Sequence, residues 1–476
     1  MKILFIYPNA EGYGRIPLGL SLVMTCLLNE GHKIDLFDTT FIRGKGHEEN
    51  IVREKTGFVA PIDLSSLYES HTQEEINEML RQELQAFSPD LVAISIVEQN
   101  YRYADRLLKV VKSFDRHIPV IAGGTTPTVA PQMVIENPRI DYACQGEGEE
   151  TMVEVCGLMQ RDRAIEPVHN IWSKQKGKVW NQPLRPLVDL DTLPIQNLDM
   201  WDARHHLKPY VGGLWRAGYF ELSRGCPNNC SYCLHATCRR IYEGCAQKYY
   251  YRQKKIENLI REVKALNEKY DFEIIFFTDD CFLLMSKGRL DEFAEAWVSE
   301  IKLPFWVNTT PETITRGKLQ KLKKAGCHGI GIGIESGSEW VRASVLNRPR
   351  ITNAELVEKF RLVAEAEIRV TANNIIGSPY ENELDIFETV ELNRIIKPAS
   401  LDATFMAPYI GTGIYDIAKR EGYIETYKVP GFRGMAKGTT MRNTPSMRMP
   451  QISKRRLMNI RNRFTEYVYG DKHEKG

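Results

Sequence analysis

The sequence predicts an α/β protein made of two sheets in succession: a doubly wound parallel sheet, then a partial barrel of six strand–helix repeats and a short helical region. Three observations predict this. Short apolar runs alternate with amphipathic patterns of helix length, as parallel strands with crossover helices require. The runs of the second half are apolar throughout, so helices must cover them. The 476 residues exceed one ordinary domain of about 150 residues.

In the first third, strands are predicted over 3–7, 33–37, 91–96, 119–122 and 142–145, and helices over 17–30, 73–87, 101–114, 128–137 and 149–159. Ligands on such sheets bind beyond the strands' carboxyl ends. Those ends carry Pro8 to Gly14, including Gly12; Val97-Glu98-Gln99-Asn100; Gly123-Gly124-Thr125; and Gly146-Glu147-Gly148. Neither G-x-G-x-x-G nor a nucleotide P-loop occurs, which argues against nicotinamide and ATP. Residues 1–160 form this domain, and 161–214 read as a linker. That stretch has Pro183, Pro186 and Pro194 among Trp172, Trp180 and Trp201, so it is expected to be an ordered connector that joins neither sheet.

Residues 215–430 hold the barrel, with strands over 218–223, 273–278, 305–309, 329–334, 369–376 and 401–406 and helices over 254–270, 290–301, 316–325, 353–366 and 383–396. An active site belongs at the strands' carboxyl ends. Beyond Gly431 the chain is basic and methionine-rich, with Met435, Met441, Met447, Met449 and Met458, and a last helix is expected over 455–468.

Composition narrows the setting. A hydrophobic share of 43% with 26% charged residues is that of a soluble globular chain, and a net charge of +2 gives no reason to expect nucleic acid. No run of about eighteen apolar residues predicts a transmembrane span. Ten cysteines without a secretion signal suit a reducing cytoplasm, where thiols stay free as ligands or core residues.

The most specific stretch is Arg224-Gly225-Cys226-Pro227-Asn228-Asn229-Cys230-Ser231-Tyr232-Cys233, just after the first barrel strand. Three thiolates at C-x-x-x-C-x-x-C spacing can hold three corners of an iron–sulfur cube and leave the fourth iron open. An odd trio makes a poor disulfide set, and zinc, the better competitor, usually takes paired C-x-x-C units. Cys238 and Cys245 fit no common zinc spacing and read as free thiols.

These ten residues resemble the cluster motif of the radical S-adenosylmethionine (SAM) enzymes. The resemblance implies a 4Fe-4S cluster on Cys226, Cys230 and Cys233, with SAM chelated to the open iron and cleaved to a 5′-deoxyadenosyl radical. It further implies SAM contacts from Tyr232, from Thr278 and Asp279, from Asn308, from Glu335 and Ser336, from Gly377 and from Tyr409, all near the ends of the TIM-like barrel's strands. The first 160 residues look like the Rossmann-like cobalamin-binding domain that precedes many such barrels, through Pro8, Pro17-Leu18-Gly19-Leu20, Gly123-Gly124 before Pro127, and Gly146-Glu147-Gly148-Glu149. Cobalamin contacts are then expected from Pro8, Gly12, Glu98, Gln99, Gly123, Gly124, Thr125, Gly146 and Glu147, with the corrin's lower face against the Val97-to-Asn100 loop. Within residues 1–160 the D-x-H-x-x-G signature that supplies a histidine below cobalt does not occur. The resemblance as a whole implies a class B-type methyltransferase that abstracts hydrogen from an unactivated carbon and methylates it from methylcobalamin. A cyclase or rearrangement enzyme without methyl transfer is the alternative, and a cobalamin sensor is disfavoured by the cysteine triad. A small-molecule or lipid substrate and an external one-electron reductant of flavodoxin or ferredoxin type are the expected partners.

Overall fold

The computed structural model describes residues 1–9, 14–175, 177–245, 250–438 and 444–470. Its strands, in chain order, are β1 (Lys2–Tyr7), β2 (Lys33–Asp38), β3 (Leu91–Ser95), β4 (Val120–Gly123), β5 (Tyr142–Cys144), β6 (Ile171–Gln175), β7 (Lys178–Asn181), β8 (Leu207–Tyr210), β9 (Gly213–Phe220), β10 (Ser223–Arg224), β11 (Arg252–Gln253), β12 (Ile274–Phe277), β13 (Phe305–Thr309), β14 (Cys327–Glu335), β15 (Arg369–Ile376) and β16 (Ser400–Phe405).

The first sheet runs β2-β1-β3-β4-β5-β6-β7, with β1 to β5 parallel and β6 and β7 added antiparallel. Side chains alternate across it. Ile3, Phe5, Leu91, Ala93 and Ile121 face one way, toward helices Leu18–Asn29 and Glu149–Met159. Leu4, Ile6, Val92, Ile94 and Val120 face the other, toward Gln73–Phe87 and Tyr101–Phe114. Because β2 and β3 flank β1, the topological switch point lies between β1 and β3, where such sheets open a crevice.

The second sheet runs β16-β15-β14-β13-β12-β9-β8. Its six strands β9 and β12 to β16 are parallel and in chain order, and β16 does not pair back to β9. The result is the expected open, curled barrel. Phe277, Phe305, Ile330, Ile332 and Ile376 pack outward against the helices. Tyr219, Ile274 and Phe276 form an inner cluster that Leu18, from the first sheet's opening helix, also joins.

Three expectations need correction. The stretch 161–214 joins both sheets: β6 and β7 extend the first, and β8 pairs antiparallel with β9 in the second. Proline excludes a segment from interior strands, not from edges, and Pro209 sits within the edge strand β8. The single helix expected over 128–137 is two, Thr125–Val129 and Pro131–Ile135, because Pro131 cannot continue a helix but can start one. The last helix is likewise split, into Lys454–Asn462 and Phe464–Tyr469. Helix Lys45–Lys55, inside the polar stretch after β2, was not expected; it buries only Gly46, Glu49 and Asn50 and so has almost no apolar stripe.

Candidate active site

The cysteine loop leaves the carboxyl end of β9 and is clamped on entry. Ser223 and Arg224 pair with Gln253 and Arg252, and the Asp279 carboxylate accepts from the Leu222 N–H (3.0 Å) and the Ser223 hydroxyl. Gly225 follows at φ +92°, where a Cβ would stand 2.6 Å from the Tyr250 carbonyl oxygen, so only glycine fits. The loop ends at Cys233, which caps helix Leu234–Tyr242.

Cys226, Cys230 and Cys233 line one cavity of about 280 Å³ at the barrel mouth. Of the expected residues, Tyr232, Thr278, Asp279, Asn308 and Glu335 also line it. Burial pushes the Cys226 thiol up to about 11 and Cys233 up to about 12, and raises Cys230. Deprotonation there must be driven by metal–thiolate bonding. Among the described residues, no three His, Cys, Asp or Glu side chains converge as ligands of a single ion. The three thiols share a cavity instead of a point, which suits a multi-iron cluster better than zinc. Cys281 is held by the Thr309 and Thr310 hydroxyls at 3.3 and 3.6 Å.

Glu335 ends β14 in a left-handed conformation, φ +67°, and its Oε1 accepts from the Tyr232 hydroxyl at 2.9 Å. Strain of this kind in a non-glycine residue at a strand end is concentrated at ligand sites. Burial raises the Glu335 carboxyl, opposed chiefly by Arg348, whose Nη1 lies 3.8 Å away. Arg348 also donates to the Gly333 carbonyl at 2.9 Å, so the cavity's one arginine is already engaged. Nothing in the sequence signals Arg348, which sits on a loop among other charged residues. His235, Asp280 and Asn373 complete the wall; His235 Nε2 stands 2.8 Å from Asp280.

Ser336, Gly377 and Tyr409 are placed elsewhere. Ser336 is fully buried with its hydroxyl toward Thr389, and Gly377 packs under Leu457. Tyr409 lines a second cavity, of about 240 Å³, beyond the carboxyl ends of β3 and β4. There Glu98, Gln99 and Thr125 stand with Val97, Thr126 and Val129, facing Leu234, Tyr409 and Ile410 of the barrel. Gln99 Nε2 donates to the Tyr409 hydroxyl, and the Ile410 N–H donates to Glu98 Oε2 at 2.7 Å. Apolar walls interrupted by amide, hydroxyl and carboxyl groups fit a corrin face and its amide side chains, and no histidine lines the wall.

The other described candidates for cobalamin do not line this cavity. Pro8 is buried, Gly12 lies outside the described residues, and Gly123 and Gly124 form the turn that opens helix Thr125–Val129. Gly146 and Glu147 form an interdomain joint. A Cβ on Gly146 would stand 2.0 Å from the Tyr242 hydroxyl, which accepts the Glu147 N–H at 3.0 Å. Glu147 Oε1 pairs with Arg224 at 3.1 Å and with Arg252, and Arg224 also reaches Glu149 (2.9 Å) and Glu221 (2.6 Å).

Comparison with known proteins agrees with this geometry. The B12 binding domain model matches residues 12–156, and the Radical SAM superfamily model matches residues 220–392. The chain carries a B12-binding domain followed by a radical SAM domain. Among its relatives is an uncharacterized methyltransferase of Pyrococcus horikoshii, 25% identical over 431 residues, covering 88% of this chain and 83% of that one. An anaerobic magnesium-protoporphyrin IX monomethyl ester cyclase of Cereibacter sphaeroides is 24% identical over 365 residues, covering 74% of this chain and 56% of the cyclase. The radical SAM methyltransferase TsrM of Kitasatospora setae, solved with cobalamin and a [4Fe-4S] cluster, superposes with a TM-score of 0.65 at 17% identity, over 90% of this chain and 79% of TsrM. The two domains take SAM with its 4Fe-4S cluster and cobalamin as cofactors, and no helix among the described residues is long and apolar enough to cross a membrane.

Proposed function

We propose that this enzyme methylates an unactivated carbon of a small-molecule or lipid substrate. One observation carries the reading: Cys233 lines the first cavity and Leu234, the next residue, lines the second. The two proposed cofactor cavities therefore adjoin at this step of the chain. A carbon-centred radical formed in one is within reach of a methyl carrier in the other.

Bound in these sites, the cluster, SAM and cobalamin supply one-electron cleavage of a sulfonium, hydrogen abstraction and a transferable methyl group. Cys226, Cys230 and Cys233 are the proposed cluster ligands. Tyr232, held by Glu335, is the proposed wall for the nucleoside, and Thr278 with Asn308 offers hydrogen bonds from the neighbouring strand ends. Glu98, Gln99, Thr125 and Tyr409 are the proposed cobalamin contacts. The first domain closes over the barrel mouth and keeps water from the reacting groups. The electron comes from an external flavodoxin- or ferredoxin-type donor, and ten free cysteines favour a reducing cytoplasm as the setting.

Ring closure is the second reading, favoured by the cyclase relative. Anaerobically reconstituted enzyme with methyl-labelled SAM and cell extract, followed by mass spectrometry, separates the two. A labelled carbon-methylated product supports methylation. A dehydrogenated or cyclised product without label overturns it.

A further inference from the structure

The cavity beyond β3 and β4 contains a buried polar side chain whose hydrogen bonding is incomplete. Glu98 is 7% exposed, and its Oε2 accepts the Ile410 N–H at 2.7 Å. Its Oε1 is buried and has no protein partner. A buried carboxyl with an idle oxygen is costly unless a ligand completes it.

The position of the bonded oxygen decides what the idle one offers. Oε2 takes an amide N–H and so acts as the carbonyl oxygen; a proton on the group sits on Oε1. Burial raises the Glu98 carboxyl to about 7, and only the Ile410 N–H opposes that shift. No cation contributes, so the Ile410 N–H alone offsets the cost of an ionised form.

Ile410 also belongs to a strap that continues to the cluster loop. Thr237 donates to the Gly411 carbonyl at 2.5 Å, and the Ile414 N–H donates to the Ser231 carbonyl at 2.9 Å, between Cys230 and Cys233. Glu98 is where the cobalamin-binding domain meets that strap.

We propose that Glu98 is a neutral hydrogen-bond donor to a carbonyl oxygen on one of cobalamin's amide side chains, and that its bond to Ile410 fastens this contact to the barrel. The corrin periphery presents several such acceptors, whereas an ionised carboxylate could only accept. The inference rests on the cobalamin reading of this cavity.

Full-length protein with its cluster reconstituted is titrated anaerobically with hydroxocobalamin, following tryptophan fluorescence and the cobalamin absorption bands. Glu98→Gln keeps an acceptor for Ile410 and an N–H donor toward the cavity, so its Kd should stay within about twofold of wild type. Glu98→Leu removes both at similar volume and should bind about tenfold more weakly, the equivalent of about 1.4 kcal/mol. Iron per chain and the melting temperature are measured on the same samples. Should the leucine variant not fold, Glu98→Asp, too short to serve Ile410 and the cavity together, replaces it with the same expected loss. Equal losses in the Gln and Leu variants would mean that a carboxylate anion is required, and would overturn the neutral donor. Unchanged affinity in Glu98→Leu would overturn the contact altogether. Wild type that binds no hydroxocobalamin would instead overturn the cofactor reading beneath it.

Discussion

At the scale of single residues, the ten cysteines divide by what surrounds them. Cys226, Cys230 and Cys233 share a cavity, while Cys281 is bonded to threonines and Cys245 reaches only the Leu184 carbonyl at 3.7 Å. Replacing any one of the three by alanine should yield protein without bound iron–sulfur cluster after reconstitution. Cys238→Ala and Cys245→Ala should retain full iron content and visible absorption. Loss of iron in either of those two would reopen an auxiliary site. A second residue-scale prediction concerns Glu381, fully buried behind β15. Its Oε2 accepts the Gly377 and Ser378 N–H groups at 2.5 and 3.0 Å, yet burial still pushes the carboxyl up to about 8. The unfolded chain gives up this proton at pH ~4.3, the ordinary glutamate value, whereas the folded chain keeps it to about pH 8. Stability from this group is therefore complete below about pH 4.3, falls as pH rises and levels off above about pH 8. Glu381→Gln keeps the acceptor and cannot ionise. Its unfolding free energy should gain on wild type by a few kcal/mol between about pH 5 and pH 8, measured by denaturant titration. Parallel curves would refute the shift.

At the scale of elements, the joint on Arg224 is the most heavily charged contact between the two sheets. Arg224 faces Glu147, Glu149 and Glu221, whose side chains are 17%, 4% and 13% exposed. Arg224→Leu leaves three carboxylates crowded with only Arg252 among them, and removing one partner of a buried set costs about 3–5 kcal/mol. Adding Glu149→Gln to that variant should recover part of the loss; a loss under about 1 kcal/mol in Arg224→Leu would show the joint to be solvent-screened. Such a joint was not legible in the sequence. A carboxylate at a strand's carboxyl end reads the same whether it meets a ligand or an arginine, and Arg224 and Arg252 lie 77 and 105 residues beyond Glu147. The central strands were legible because their burial is written in consecutive apolar residues, as in Ile274-Ile275-Phe276-Phe277, all buried. The edge strands were not. In β7 Trp180 is 54% exposed, and β8 contains a proline, so neither carries a buried-strand pattern. Tyr232 and Glu335 were legible from the motif, but Arg348, which joins them in the cavity, was visible only once the fold brought the three together.

At the scale of the whole molecule, the two sheets share one core. A single buried cluster runs from Ile3 and Phe5 in β1, through Phe277 and Ile330 in the barrel, to Leu457 and Phe464 in the last helices. Leu18 packs inside the barrel, and the unexpected helix Lys45–Lys55 closes the barrel's open edge, with Arg53 3.7 Å from Asp402. The carboxy-terminal helices complete that closure. The Thr465 hydroxyl donates to the Thr56 carbonyl at 2.6 Å, and Arg461, buried over the Phe58 ring at 4.6 Å, donates to the Ala403 carbonyl. A barrel left open at β16 has an unpaired edge there, and here the other domain and the carboxy-terminal helices cover it. Two domains joined only by a linker would melt separately, but domains that share a core lose their packing together. Scanning calorimetry of the full chain should therefore show one cooperative transition. Removing residues 453–476 should lower and broaden it by stripping Leu457, Arg461 and Phe464 from the shared core, while cluster loading falls because Gly377, behind the strand ends, loses its cover. Two resolved transitions in the full chain, with the truncation affecting only the later one, would show that the sheets are independent and that the adjoining cofactor cavities depend on domain closure alone.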